Sequence, residues 1–139
     1  MERVQNKLQL KWWWHILPAY LTLWSIGFSI WNLVDANGMM TSFGIDTGGA
    51  TDFILLNSAS RYVAIAVAMV LGIWVFRTFQ TIMMALIVRL TMDALDLYSG
   101  LQAGVIESVS GVFQSAVMFL FPSLISMFLL LRSAKKLNP

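Results

Sequence analysis

The sequence predicts an all-α fold: an integral membrane four-transmembrane-helix bundle with both termini cytoplasmic. Three observations predict it. Of the 139 residues, 58% are hydrophobic and only 12% are charged, against about 45–50% and about 25% in an ordinary soluble domain. Mean hydropathy is correspondingly high, at +0.74. Four windows are long and apolar enough to cross a hydrocarbon core of about 30 Å, which takes roughly 20 helical residues. The basic residues, finally, fall on one side of those windows only.

The whole chain reads as one domain, residues 1–139. The first window, Trp12 to Val34, has no formal charge apart from any on His15. Its apolar run is too long for a cleaved signal peptide, and no small-x-small site follows it, so it is expected to be retained. Residues 35–52, "DANGMMTSFGIDTGGATD", are rich in Gly, Thr and Asp. They lack the calcium-loop pattern and read as a solvated outer loop with room for a short interfacial helix. The second window, Phe53 to Phe76, contains only Arg61, and a tight turn around Thr78 leads to the third, Gln80 to Tyr98, with Arg89, Asp93 and Asp96. The fourth, Ser108 to Leu131, is uncharged; Pro122 inside it removes an amide donor and should kink it.

Arg3, Lys7, Lys11, Arg77, Arg132, Lys135 and Lys136 lie on one side of this layout. Asp35, Asp46, Asp52 and Glu107 lie on the other, with no Lys or Arg. The positive-inside rule puts the basic side in the cytoplasm. Trp12, Trp13, Trp14, Trp74, Phe76 and Phe79 fit the inner interface, and Trp31 and Tyr98 the outer one. His15 reads as an interface residue. The formal charge of +2 leaves no nucleic-acid footprint, and the absence of Cys removes disulfides and thiolate metal sites. No metal or cofactor is expected: the nine Met residues are scattered and read as packing, and there is no phosphate loop, nucleophile elbow or HExxH helix.

Arg89, Asp93 and Asp96 carry the chemistry. Their i, i+4, i+7 spacing places them within about 60° on one helical face. A charge at the bilayer centre costs about 2.5–3.5 kcal/mol or more, so this face should point inward. Arg61 and Leu95 lie equally far along the chain from Thr78, which sets Arg61 level with Asp93 and Asp96, roughly 24 Å above the turn. Ala64, Ala68 and Gly72 form a small-xxx-small stripe beside Arg61 and should turn it toward the third helix. Gln114 and Glu107 share a face of the fourth span, and Ser29 and Asn32 lie at similar height on the first. The candidate site is therefore Arg61, Arg89, Asp93, Asp96 and Gln114, a polar cluster in the outer half of the bundle with no residue assigned as catalytic.

The stretches "SRYVAIAVAMVLG" and "VRLTMDALD" in an arrangement of this size resemble small four-helix bacterial membrane proteins, broadly the DoxX-like group. The resemblance covers spans two to four and implies architecture, together with Arg61, Arg89, Asp93 and Asp96 as defining positions. It implies location in the bacterial inner membrane. The expected role is non-catalytic: binding a lipid-like ligand, or docking as an accessory subunit of a membrane complex. Expected partners are membrane lipid, other membrane subunits or a second copy of the chain. One alternative is a proton-coupled small transporter or channel acting as an oligomer. Another is an intramembrane lipid isomerase-type enzyme using Asp93 or Asp96 as acid or base.

Overall fold

A computed structural model of the chain describes residues 7–42, 52–102 and 108–137, with backbone alone for 52–58 and 135–137. The described residues form helices and no strand, arranged as four rods. A 3₁₀ turn, Trp12–His15, leads into α1, Ile16–Ser42. Helix α2, Asp52–Met69, runs on as a π-helical segment, Val70–Phe76. Helix α3 is Phe79–Gln102. The fourth rod joins α4 (Val109–Ser115), a second π segment (Ala116–Leu120) and α5 (Phe121–Leu137).

Local chemistry sets the rod ends. Pro18 sits in the first turn of α1, where a missing N–H breaks no helical bond. The first rod does not stop at Val34, as the hydropathy suggests. It turns at Asp35 (φ −151°, ψ 75°) and resumes to Ser42. Asp35 Oδ1 accepts from the Gly38 N–H at 2.8 Å, which makes Asp35 the N-cap of a short second helix. The start of the expected outer loop is thus helical; residues 43–51 lie outside the described residues. Arg77, in the left-handed region at φ 58°, reverses the chain between the second and third rods. Thr78 and Thr81 then cap α3 reciprocally: each backbone N–H donates to the other's hydroxyl, at 3.1 and 3.2 Å. Ser108 caps α4 by accepting from the Gly111 N–H at 3.1 Å.

The π segment at Ala116–Leu120 ends immediately before Pro122. There Phe121 donates to the Ala116 carbonyl, five residues back. The wider turn takes up the distortion that a proline forces on the residues preceding it.

Each rod packs on two neighbours: the first on the second and fourth, the third on the second and fourth. The first and third therefore face each other across a diagonal. The apolar core, made by Trp14, Leu21, Ile65, Met69, Ile73, Ile82, Ala85, Leu86 and Leu130, fills the half of the bundle nearest the Arg77 turn. The small-residue stripe is corrected in part. Gly72 is buried against α3, but Ala64 is exposed and Ala68 only half-buried. The second rod packs most extensively on α1, and its π segment shifts Gly72 out of helical phase with the two alanines.

Three stretches are long and apolar enough to cross a membrane: Trp12–Ser42, Ala59–Phe76 and Val109–Ala134. Helix α3, at 24 residues, is long enough; Arg89, Asp93 and Asp96 set it apart in composition.

Candidate functional site

The outer half of the bundle, away from the Arg77 turn, holds the polar side chains. Arg89 is their centre. It is 2% exposed and lies roughly 16 Å along α3 from Thr78. Its Nε donates to Asp93 Oδ2 at 2.8 Å, and its Nη2 lies 2.8 Å from Asp93 Oδ1. This is the two-pronged geometry in which a guanidinium holds a carboxylate most firmly. The i, i+4 spacing alone brings the pair together. The third nitrogen, Nη1, donates to Ser25 Oγ on α1, so Arg89 crosses the diagonal of the bundle and ties the first rod to the third.

Ser25 belongs to a buried polar stripe on α1 with Thr22, Ser29 and Asn32. Each side chain donates to the carbonyl four residues back, at 2.7 to 3.2 Å. That is how a helix satisfies hydroxyls away from water. Asn32 also directs its amide nitrogen at Met39 Sδ, 2.8 Å away, and its Oδ1 is buried without a partner.

One turn further along α3, Asp96 makes a second, looser unit. Tyr62 donates its hydroxyl to Asp96 Oδ2 at 3.0 Å, and Arg61 Nη2 reaches Asp96 Oδ1 at 3.5 Å. The Tyr62 ring is held by stacking on Phe28 of α1, with centroids 5.5 Å apart. The side chains of Arg61 and Asp96 are 48% and 33% exposed, against 2% and 8% for Arg89 and Asp93. The cluster is therefore two ion pairs of different kinds. Arg89–Asp93 is closed, with all three guanidinium nitrogens engaged. Arg61–Asp96 is open: a guanidinium has five N–H donors, and among the described residues Arg61 spends one weak contact.

Four of the five predicted site residues thus come together, with Arg61 matched to Asp96 and Arg89 to Asp93. Gln114 does not join them. It is exposed, and its amide nitrogen lies 3.9 Å from Met118 Sδ; Glu107 lies outside the described residues. Two members were missed from sequence, Ser25 and Tyr62. The signal for Ser25 was its place in the Thr22, Ser25, Ser29, Asn32 periodicity; for Tyr62 it was adjacency to Arg61. His15 stands at the opposite end, stacked on Trp74 at 4.9 Å, with Nδ1 buried and unpartnered. No group of three His, Cys, Asp or Glu side chains suited to a metal occurs among the described residues.

Comparison with protein-family models, with curated proteins and with solved structures returned no match.

Proposed function

We propose that the chain is a four-span protein of a bacterial inner membrane, with both termini cytoplasmic, that binds a lipid-like ligand without catalysing a reaction on it. The polar head of the ligand meets Arg61, Tyr62 and Asp96, and its apolar part lies along the helices. The observation that carries this reading is the contrast between the two ion pairs. Arg89–Asp93 has nothing left to offer a ligand. Arg61–Asp96 is half-open, loosely made and roughly 27 Å along α3 from the Thr78 turn, the depth at which a membrane-spanning helix leaves hydrocarbon for headgroups. A guanidinium and a carboxylate beside a phenol suit a zwitterionic or hydroxylated head.

Each carboxylate has its own arginine, and that argues against the proton-carrier and acid–base alternatives, which need a carboxyl able to take up a proton. Arginines held this close favour the charged form of both. The DoxX-like resemblance contributes architecture to this proposal and no activity.

Native mass spectrometry of the purified protein tests it. A co-purifying lipid-sized mass should be present on the wild type and lost from Arg61→Gln and from Tyr62→Phe, while Arg89→Lys keeps it in whatever fraction stays folded. A stoichiometric protein partner in place of a small mass would favour the accessory-subunit role. A bound mass indifferent to Arg61 and Tyr62 would refute the site.

A further inference from the structure

The opposite end of the molecule carries a second feature, independent of the Arg–Asp cluster. The segment before the 3₁₀ turn is extended, with Lys11 at φ −62° and ψ 147°. It is pinned to the turn between the second and third rods by the Leu8 N–H, which donates to the Arg77 carbonyl at 2.8 Å. Folded back in this way, it leaves a cleft of about 360 Å³ against the last turns of α5, whose walls include Lys11, Trp13 and Trp14 on one side and Arg132 and Ser133 on the other.

Lys11 and Arg132 come from opposite ends of the chain and meet in this cleft. No Asp or Glu lines it, and neither cation forms an ion pair among the described residues. Two cations that a fold brings together with no counter-ion repel each other unless an anion is supplied from outside. Trp14, 2% exposed, presents a further unused donor in the same wall: its indole N–H is buried with no hydrogen-bond partner. Leu10 and Leu129 add apolar wall.

We propose that this cleft holds the phosphate of an anionic phospholipid. Lys11 and Arg132 flank the phosphate oxygens, and the acyl chains run along the apolar outside of α5. The surroundings favour a lipid over a soluble phosphate. Trp12 and Trp13 beside the cleft are 78% and 42% exposed, and Phe128 and Leu131 on α5 are exposed as well. Exposed tryptophans of this kind sit at headgroup depth. The cytoplasmic leaflet, which this basic end is proposed to face, is the one that carries anionic lipid. The site differs from the Arg61–Asp96 opening in position, in charge and in the head it selects.

The test uses the full chain in nanodiscs containing equal mole fractions of phosphatidylglycerol and phosphatidylcholine, released into detergent and weighed by native mass spectrometry. Wild type should retain phosphatidylglycerol in preference to phosphatidylcholine. The double variant Lys11→Gln/Arg132→Gln should lose that preference by about tenfold or more, since each basic residue near a membrane surface contributes roughly fivefold. Arg132→Lys, which keeps the charge, should retain most of it. A charge-matched control, Lys7→Gln/Arg77→Asn, removes two cations that do not line the cleft and should leave the preference intact. Equal loss in the control would reduce the effect to bulk charge and overturn the proposal. So would an unchanged preference in the double variant. Full displacement of phosphatidylglycerol by millimolar inorganic phosphate would assign the cleft to a soluble anion instead.

Discussion

Arg89 and Arg61 both pair with an aspartate of α3, yet their surroundings give them opposite roles. Arg89 is buried with its guanidinium divided between Asp93 and Ser25, so truncating it strands a carboxylate inside the bundle. Arg89→Ala should cost about 3–5 kcal/mol, the usual penalty for breaking one side of a buried pair. Adding Asp93→Asn should return part of that loss. Arg61→Ala should cost about 1 kcal/mol or less, because an exposed pair is solvated and screened. Unfolding of each variant by SDS titration, as a two-by-two cycle, measures both. Equal losses at Arg61 and Arg89 would show that exposure does not separate them. Sequence periodicity assigns the larger burden to Arg61, since register puts it level with the aspartates. Register fixes height and leaves rotation open, and rotation is what separates a buried guanidinium from a half-exposed one. Ser25 and Tyr62 were illegible for the same reason: each contact crosses between helices, and nothing local in either residue announces it.

At the scale of elements, the helices and their turn were readable, and the two π segments were not. A hydropathy window registers a long apolar run whether the chain makes α or π turns. The extra residue per π turn changes the phase of everything beyond it, which is why Ala64 and Gly72 face differently despite their eight-residue spacing. Gly72 is where the second rod and α3 come closest. A Cβ there would stand 2.7 Å from the Thr81 carbonyl oxygen and 2.9 Å from Ala85 Cβ, whereas at Gly27 on α1 it would meet nothing within 4 Å. Gly72→Ala must therefore push backbone against backbone and should destabilise by about 1–3 kcal/mol. Gly27→Ala should be neutral or stabilise by roughly 0.5–1 kcal/mol, through lower backbone entropy in the unfolded chain. Thermal melts of the two single variants suffice, and a Gly72→Ala protein as stable as wild type would show that the two rods can separate freely. The neighbouring turn gives an independent check. Arg77 adopts a left-handed conformation that costs a non-glycine residue about 1–2 kcal/mol, so Arg77→Gly should raise the melting temperature even though it removes a charge. A lowered melting temperature would mean that the Arg77 side chain contributes more than its backbone loses.

At the scale of the molecule, the distribution of charge and the path of the chain constrain each other. The extended segment at residues 7–11 touches the Arg77 turn, and it shares a cleft with the last turns of α5. Lys7, Lys11, Arg77 and Arg132 are thereby gathered at one end, as the loop charges predicted. Three helical stretches are apolar enough to cross a membrane by composition alone. Three crossings, however, would leave the start of the first rod and the end of the fourth on opposite sides, and in this fold they meet at one end. The geometry is consistent with a membrane only if α3 crosses too. Its Arg89 and Asp93 are admitted because they neutralise each other inside the bundle, and Asp96 because it lies near the outer end. Four crossings with cytoplasmic termini should give a definite labelling pattern, and the natural absence of Cys makes single cysteines at chosen positions unambiguous. In intact cells, a membrane-impermeant maleimide should label a cysteine at Gly48 and spare cysteines placed at Lys7, Arg77 or Leu137; after permeabilisation all four should react. Labelling of Lys7 and Leu137 from opposite sides would establish an odd number of crossings and exclude α3 as a span. Labelling of both from outside would invert the protein, and with it the leaflet proposed for the Lys11–Arg132 cleft.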